Sequence, residues 1–333
     1  MKHLKYFPDS QVIGGGVKVD LPNVSYLEGE NTLFISGDER QATVKVNSNT
    51  GKIELEPDYS QMYLSFEAIE SGTFSFLGAT SAHTLSYSLD DGATWTPLAH
   101  DTDTPTINAG NKIMWKGNLT PEFMGGIGKF IATGKFVAYG NIMSLLYGDN
   151  FVGQISLTDK TFAFYSLFAG NSKIVSALNL ILLATTLAGH CYESMFYGCT
   201  SLTTAPALPA TTLAEYCYPS MFNGCTSLTT APELPATTLA EYCYSMMFSG
   251  CKSLTTAPEL PATTLVTYCY GDMFNGCTNL NYIKMLAINI TARYSLDNWV
   301  YGVSSTGTFV KAAAIPFLTG ASGIPSGWTI VEV

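Results

Sequence analysis

The chain has 333 residues, a formal net charge of −10 and only 13% charged residues. Its two arginines, Arg40 and Arg293, leave it without the basic surface that binds nucleic-acid phosphates or anionic membranes, so we expect neither partner. A hydrophobic content of 47% excludes general disorder, and the length allows two or three domains.

The first segment, residues 1–58, is charged and strand-like. Lys2 and Lys5 are not followed by the apolar stretch of a secretory signal, and no run of 18 apolar residues occurs. We therefore expect synthesis in the cytosol without a cleaved leader, and no membrane insertion. Glycines 14–16 predict a flexible joint, because they lack the Gly-Lys-Ser/Thr of a phosphate loop. The segment is too small and polar to hold a large core, so we expect it to attach to another chain.

Residues 59–140 alternate apolar and polar side chains between turn signals, which predicts an immunoglobulin-like antiparallel β-sandwich domain. Within it, residues 88–95 read S-x-D-x-G-x-T-W, which is similar to the Asp-box hairpin of sialidases and many other β proteins. That resemblance implies that the Asp90 carboxylate ties down the turn and that Trp95 packs below it. A sialidase has several such boxes and needs three arginines for its substrate, so we expect a structural hairpin.

The next stretch repeats with a period of 26 residues, marked by two columns of cysteines. The first column contains Cys191, Cys217, Cys243 and Cys269, and the second contains Cys199, Cys225, Cys251 and Cys277. A degraded copy at residues 165–187 has Asn171 in place of the second cysteine. A period of this length predicts a solenoid, in which each repeat packs only against its neighbours.

Each repeat is interpreted as a short helix followed by a short strand. Thr212 is placed to cap a helix, and an apolar stripe of helical period runs through residues 213–222. Gly224 stands where a left-handed helix stop favours glycine. Residues 225–231 then predict a short strand, which the following prolines end.

The cysteines are interpreted as stacked, buried free thiols, which behave as small hydrophobic side chains. Disulfides between adjacent repeats are the alternative, but the expected cytosolic synthesis argues against them. The cysteine spacing never forms C-x₂-C, and His190 beside Cys191 is not repeated in later copies. We therefore expect no metal and no cofactor.

The elements Met-Phe-x-Gly-Cys-x-Ser-Leu, Leu-Pro and Thr-Thr-Leu resemble the leucine-rich repeats of the BspA-like family over residues 163–285. The family's commoner unit is shorter, and this chain lacks its Val-Thr-Ile-Gly segment. The resemblance implies a surface-displayed binding or adhesion protein of anaerobic gut bacteria and their phages. The expected fold class is multidomain: an N-terminal all-β, β-sandwich-like region, an α/β leucine-rich-repeat solenoid and a C-terminal cap. The predicted domains are residues 1–58, 59–140, 141–290 and 291–333.

No catalytic constellation is recognised, because none of the four histidines lies near a nucleophile motif, so we expect no enzyme activity and no catalytic residue. These histidines are His3, His83, His100 and His190. The candidate ligand surface consists of repeated hydroxyls and aromatic rings, which suit glycans or protein surfaces. The alternative is that the threonines only stabilise stacked strands. The candidate residues are Thr203, Thr204, Thr229, Thr230, Thr255, Thr256, Tyr216, Tyr242 and Tyr268.

We therefore expect a non-enzymatic interaction protein, a phage fibre or capsid decoration whose repeats bind a host-surface glycan or protein. The N-terminal segment would dock on a virion or surface scaffold. The expected location is the virion surface, because phage proteins assemble in the cytosol and need no leader. A bacterial cell-surface adhesin and a purely structural virion component without a ligand are the alternatives, and a homo-oligomer is compatible with each.

Overall fold

The computed structural model describes residues 58–77, 84–99, 101–313 and 317–333, together with five strands between residues 12 and 55. The chain divides into two compact units, Met1–Gln61 and Met62–Val333. His3, His83 and His100 lie outside the described residues, as do residues 14 and 15 of the predicted joint, whereas Gly16 begins a strand.

The described residues of the first unit form one antiparallel sheet of five strands in the order β1-β2-β5-β4-β3, followed by a 3-10 turn at Tyr59–Gln61. The strands are β1 (Val12–Ile13), β2 (Gly16–Val19), β3 (Thr32–Phe34), β4 (Gln41–Val46) and β5 (Ile53–Leu55). Within residues 1–58 the described strands agree with the predicted strand-like pattern, and the attachment role of the segment stays a prediction.

The second unit begins with seven strands in two sheets. They are β6 (Leu64–Ala68), β7 (Phe74–Leu77), β8 (Leu85–Ser88), β9 (Thr96–Leu98), β10 (Lys112–Gly117), β11 (Lys129–Ala132) and β12 (Phe136–Asn141). Strands β12, β6, β10, β8 and β9 pair antiparallel in that order, and β7 pairs with β11. Phe66, Trp115 and Phe136 of the large sheet pack on Phe74 and Phe130 of the small one, with ring centroids 4.9–6.3 Å apart. The antiparallel strands predicted for residues 59–140 are therefore present.

The large sheet continues past residue 140. After a short helix, α1 (Ser144–Tyr147), and a 3-10 turn at Gly148–Asn150, the chain adds β13 (Ile174–Ser176) and β14 (Leu180–Ile181). Both strands pair parallel with β12. The first, degraded repeat is thus hydrogen-bonded to the edge of the sheet, and one hydrophobic core runs through both parts.

The predicted α/β leucine-rich-repeat solenoid is wrong. The described residues contain one α-helix, the four-residue α1, and it precedes the repeats. The segment predicted to be helical in each repeat is instead a series of turns. The strand predicted at residues 225–231 is reduced to isolated parallel bridges such as Thr204 to Thr230. The expected fold class is therefore corrected to a mostly β unit of sheets followed by stacked turns.

A left-handed residue at every fourth position explains why no helix forms. Tyr216, Ser220 and Gly224 have φ angles of 54°, 55° and 74°, and the equivalent residues of the neighbouring repeats agree with them. An α-helix cannot contain such residues, because its backbone is right-handed throughout. A four-residue turn period is close to the 3.6-residue period of a helix. The apolar stripe therefore has nearly the same spacing in both structures.

Hydrogen bonds between neighbouring repeats replace those of the predicted helix. The N–H groups of Tyr218, Ser220 and Phe222 donate to carbonyls of the next repeat at 2.9–3.1 Å. The intervening Met221 donates to Tyr218 within its own turn, at 3.2 Å. Each repeat, which we call a rung, is thus held to the next one by its backbone along most of the turn series.

Two buried aromatic columns run through the centre of the stacked rungs. One is Phe164, Tyr192, Tyr218, Tyr244 and Tyr270, and the other is Phe130, Phe168, Phe196, Phe222, Phe248, Phe274 and Trp299. Ring centroids are 5.3–6.2 Å apart along both columns. Phe130 belongs to β11, so the second column continues the core of the sheets into the rungs.

The last residues continue the stack as a parallel three-stranded sheet. Its strands are β15 (Tyr282–Met285), β16 (Thr308–Lys311) and β17 (Thr329–Glu332). Trp299 and Trp328 are buried, and their indole N–H groups donate to the carbonyls of Gly323 and Ser304, each at 2.8 Å. Residues 291–333 therefore cover the core at this end. Within the described ranges, no helix has the length and apolar character that crossing a bilayer requires.

Replacing Phe222 by alanine tests the importance of the buried columns. Phe222 is fully buried between Phe196 and Phe248, with centroids at 5.5 and 5.7 Å. We expect Phe222→Ala to lower the free energy of unfolding by about 3–5 kcal/mol, because it leaves a cavity. Tyr301 is 61% exposed, and Tyr301→Ala should change that free energy by less than about 0.5 kcal/mol. Equal effects of the two variants in urea unfolding would contradict this role.

Candidate binding surface

A third aromatic column lies partly at the surface, and we call it the outer column. It consists of Phe162, His190, Tyr216, Tyr242, Tyr268 and Tyr294. Neighbouring ring centroids are 4.4–4.7 Å apart, closer than in the buried columns. Each member has a φ angle between 52° and 60°, so the same left-handed position directs every ring. The structure thus brings together the three tyrosines predicted as site residues.

The outer column offers ring edges and hydroxyls rather than ring faces. Tyr242 is covered on one face by Tyr216 and on the other by Tyr268, at 4.4 and 4.6 Å. The Arg293 guanidinium lies 4.5 Å from the centroid of Tyr294 at the end of the column. A ligand therefore cannot stack on these tyrosines as it would on an isolated ring, and contacts must come from their edges.

The hydroxyl of Tyr216 stays protonated well into the alkaline range. Partial burial raises the pKa of Tyr216, and the neighbouring Tyr242 and the carboxylates of Glu215 and Glu241 add to this shift. A neutral phenol both donates and accepts a hydrogen bond. Tyr216 therefore presents an uncharged hydroxyl next to the exposed carboxylates of Glu215 and Glu241.

The predicted threonines form a column of their own, which we call the first threonine column. Parallel bridges join Ser176 to Thr204 and Thr204 to Thr230, and Thr256 is bridged to Tyr282. Parallel-paired residues lie about 4.8 Å apart, so the column repeats at that spacing. Its members are Thr203, Thr204, Thr229, Thr230, Thr255 and Thr256, and all of them except the half-buried Thr204 are exposed.

Part of this column is used within the chain. The Thr203 hydroxyl donates to the carbonyl of Val175 at 2.9 Å, and the Thr204 hydroxyl lies 2.5 Å from that of Ser176. The Thr229 hydroxyl makes a long bond of 3.4 Å to the carbonyl of Thr203. Among the described residues, the exposed hydroxyls of Thr230, Thr255 and Thr256 have no hydrogen-bond partner. These three are therefore free to bind a ligand.

A second threonine column, which is not among the predicted site residues, lies beside the first one. It consists of Thr185, Thr186, Thr211, Thr212, Thr237, Thr238, Thr263 and Thr264, all of them exposed. Bridges from Thr186 to Thr212 and from Thr212 to Thr238 show that it runs parallel to the first column. The helix cap predicted at Thr212 is wrong, because the repeats contain turns in place of a helix. The sequence signal for this column is that each of the three full copies contains Thr-Thr twice, with the two pairs eight residues apart.

Acidic side chains accompany the two threonine columns. Glu233 and Glu259 are exposed and lie between the two Thr-Thr pairs of their repeats. The Glu259 carboxylate accepts a hydrogen bond from Lys284 at 2.9 Å, whereas Glu233 has no ion pair among the described residues. The surface therefore combines many hydroxyls with a negative potential, which disfavours anionic ligands.

The prediction of buried free thiols is confirmed, since all eight cysteines are free and buried. The second cysteine column also makes a repeated hydrogen bond. The thiols of Cys199, Cys225, Cys251 and Cys277 donate at 2.9–3.1 Å to a phenylalanine carbonyl of the preceding rung. Asn171 takes this place in the first repeat, and its amide reaches the carbonyl of Phe130 at 3.1 Å. In the described part of the chain, no three His, Cys, Asp or Glu side chains cluster as metal ligands would.

The Asp-box-like hairpin is confirmed as a structural turn. The Asp90 carboxylate accepts hydrogen bonds from the N–H and the hydroxyl of Thr94, at 2.9 and 2.6 Å, and from the Ser88 hydroxyl at 2.8 Å. These bonds, with the Thr94 hydroxyl as the largest cause, lower the pKa of Asp90 to about 2. Trp95 packs beneath Lys116 and Tyr63, with 4.4 Å from its ring to the Lys116 Nζ.

Comparison of the chain with protein-family models, with curated proteins and with solved structures gives no match. The resemblance to the BspA-like family therefore stays a prediction.

The thiols should be unreactive in the native protein. Burial raises the pKa of Cys191, Cys269 and Cys277 to about 12, so almost no reactive thiolate exists at pH 8. We expect a thiol reagent such as 5,5′-dithiobis(2-nitrobenzoate) to label no cysteine in native buffer and all eight in denaturant. Labelling of any thiol in native buffer, without unfolding, would contradict this burial.

The hairpin should lose its fixed turn only in strong acid. Because the pKa of Asp90 is lowered in the folded state, its stabilising bonds are fully present above the ordinary carboxyl pKa of about 3.9. They are lost as the pH falls towards about 2. The amide resonance of Thr94 should report this titration. In Thr94→Val, which lacks the hydroxyl, the titration of Asp90 should move towards higher pH, and an unchanged midpoint would contradict the assigned cause.

Proposed function

We propose that this chain is a non-enzymatic binding protein whose stacked rungs hold an extended, uncharged glycan on the two threonine columns. The observation that carries the proposal is the column of free hydroxyls at Thr230, Thr255 and Thr256, repeated along the stack. A glycan presents hydroxyls that both donate and accept hydrogen bonds, as threonine does.

Repetition and rigidity support an extended ligand over a compact one. Equivalent hydroxyls recur at about 4.8 Å from rung to rung, so a polymer can make the same weak contact on several rungs. The backbone bonds between rungs fix these positions before a ligand arrives. A preorganised surface loses less conformational entropy on binding, so several weak contacts add up to useful affinity.

The charge of the surface supports an uncharged ligand. Glu233 and Glu259 lie between the threonine columns, and Glu215 and Glu241 lie beside the outer column. The whole chain has a net charge of −10. An acidic polysaccharide would be repelled by this field, whereas a neutral one would not. The ligand class is thus a neutral cell-surface polysaccharide.

The first unit is proposed to be the attachment segment. It is a separate compact unit, Met1–Gln61, with a sheet of its own. A unit of this kind can bind a virion or surface scaffold without altering the rungs. The stacked rungs would then be displayed towards the ligand.

Binding to polysaccharides tests the proposal directly. The labelled chain should bind neutral capsular polysaccharides of gut bacteria and should bind uronic-acid-rich polysaccharides more weakly. The double variant Thr230→Val and Thr256→Val keeps the β-branched shape but removes two exposed hydroxyls. At about 0.5–1.5 kcal/mol for each lost hydrogen bond, binding should weaken by a factor between about 5 and about 150.

A matched control keeps this experiment specific. Thr120 is exposed and lies outside the repeats, so Thr120→Val should bind as the wild type does. All variants should keep the thermal unfolding midpoint of the wild type, because the changed side chains are at the surface. An absence of binding to every neutral polysaccharide, or equal binding by the double variant, would refute the glycan proposal.

A further inference from the structure

The two ends of the stacked rungs differ in what covers them. At the first end, β13 and β14 are paired with β12 of the large sheet. At the last end, β17 pairs with β16 on one side, and each of its four residues is exposed. Ile330, Val331 and the following Val333 are 46%, 41% and 66% exposed, although all three are apolar. An apolar edge of this kind is a site for pairing with another strand.

The backbone of β17 shows which groups are free for such pairing. The N–H groups of Thr329 and Val333 donate to the carbonyls of Gly307 and Lys311, at 2.9 and 3.0 Å. Because successive residues of a strand point their N–H and C=O groups to opposite sides, the N–H and C=O of Ile330 and Glu332 point away from β16. The open edge thus has two donors and two acceptors in alternation.

Apart from the short length of four residues, the usual protection of an edge strand is missing from β17. Strands avoid unwanted pairing by means of proline, a bulge or charged side chains. The strand Thr329–Glu332 contains no proline, and its register with β16 is regular. Its one charged side chain, Glu332, is bound to the buried Lys311 at 2.6 Å. Lys311 therefore neutralises the charge that would otherwise repel a second strand.

We propose that β17 pairs with β17 of a second copy of this chain, antiparallel and about a two-fold axis. An antiparallel pair is self-complementary, so one strand supplies both partners of a two-fold interface. Stacking the last end of one copy on the first end of another would need a free first end, but β12 already covers it. The structure therefore favours a closed dimer joined tail to tail over an open filament.

The register of this pair follows from the outward groups. With the axis through Val331, Ile330 lies opposite the partner's Glu332, and Thr329 lies opposite the partner's Val333. Ile330 and Glu332 then form the hydrogen-bonded pairs, which gives four backbone hydrogen bonds across the axis. An axis through Glu332 would place two carboxylates opposite each other, which is unfavourable. The register through Val331 is thus the expected one.

The oligomeric state of the full chain provides the first test. Sedimentation across about a hundredfold range of protein concentration should show a monomer that becomes a dimer and no larger species. Ile330→Pro removes an outward N–H but none of the bonds to β16, and edge strands tolerate proline. It should abolish the dimer. Ile330→Ala keeps the N–H and should still form it, and equal thermal midpoints of the diluted variants would show that both are folded.

Cysteine crosslinking tests the register. In the proposed pair the two Val331 residues face each other without mutual hydrogen bonds, with Cα atoms about 4.5 Å apart, which suits a disulfide. The two Ile330 residues are diagonal neighbours about 7–8 Å apart, which does not. All natural cysteines are buried, so the introduced thiol should be the reactive one. Oxidation should therefore crosslink Val331→Cys at a much higher rate than Ile330→Cys.

A wild type that stays monomeric at every concentration would refute the dimer. A dimer that persists in Ile330→Pro would place the interface elsewhere. Equal crosslinking of Val331→Cys and Ile330→Cys would refute the two-fold register through Val331.

Discussion

Backbone hydrogen bonding between equivalent turns, in a fixed register of 26 residues, is the constraint on which the rest of this structure depends. Tyr218 donates to Cys243, and the same bond recurs from Tyr244 to Cys269 one repeat later. Because the register is fixed, each side chain lies over its counterpart in the next repeat. The aromatic, cysteine and threonine columns are all consequences of this one pairing.

The pairing also stabilises a backbone that would be unfavourable by itself. Left-handed residues with side chains cost about 1–2 kcal/mol each, and every rung contains two of them, such as Tyr216 and Ser220. Satisfied backbone groups and the buried columns offset that cost. In the outer column the left-handed position has a further effect, because it directs every ring to the same side of the stack. The outer column is therefore formed by residues that have this strained, left-handed backbone.

The sequence predicts the organisation of this chain better than its local structure. The period, the stacked buried cysteines and the Asp90 turn follow from spacing and residue type, and all three are present. The predicted helix is wrong because a turn period of four and a helical period of 3.6 differ by less than about one residue over two turns. Only Gly224 signals a left-handed backbone by its residue type, whereas Tyr216 and Ser220 adopt it because of their neighbours. The candidate threonines were identifiable as columns, but which hydroxyls remain free depends on contacts such as that of Thr203 with Val175.

The contact of Asn171 with the sheet has a consequence for how the length of the stack can evolve. Its amide bonds to Phe130 of the sheet, where later repeats have a cysteine bonded to the preceding rung. The residues that connect the stack to the sheet and to the final strands thus lie outside the nearly identical middle copies. Duplication or loss of one 26-residue copy would lengthen or shorten the stack while leaving both sets of connecting residues unchanged. The length of the surface can therefore change by one repeat at a time during evolution, without sequence changes at either end.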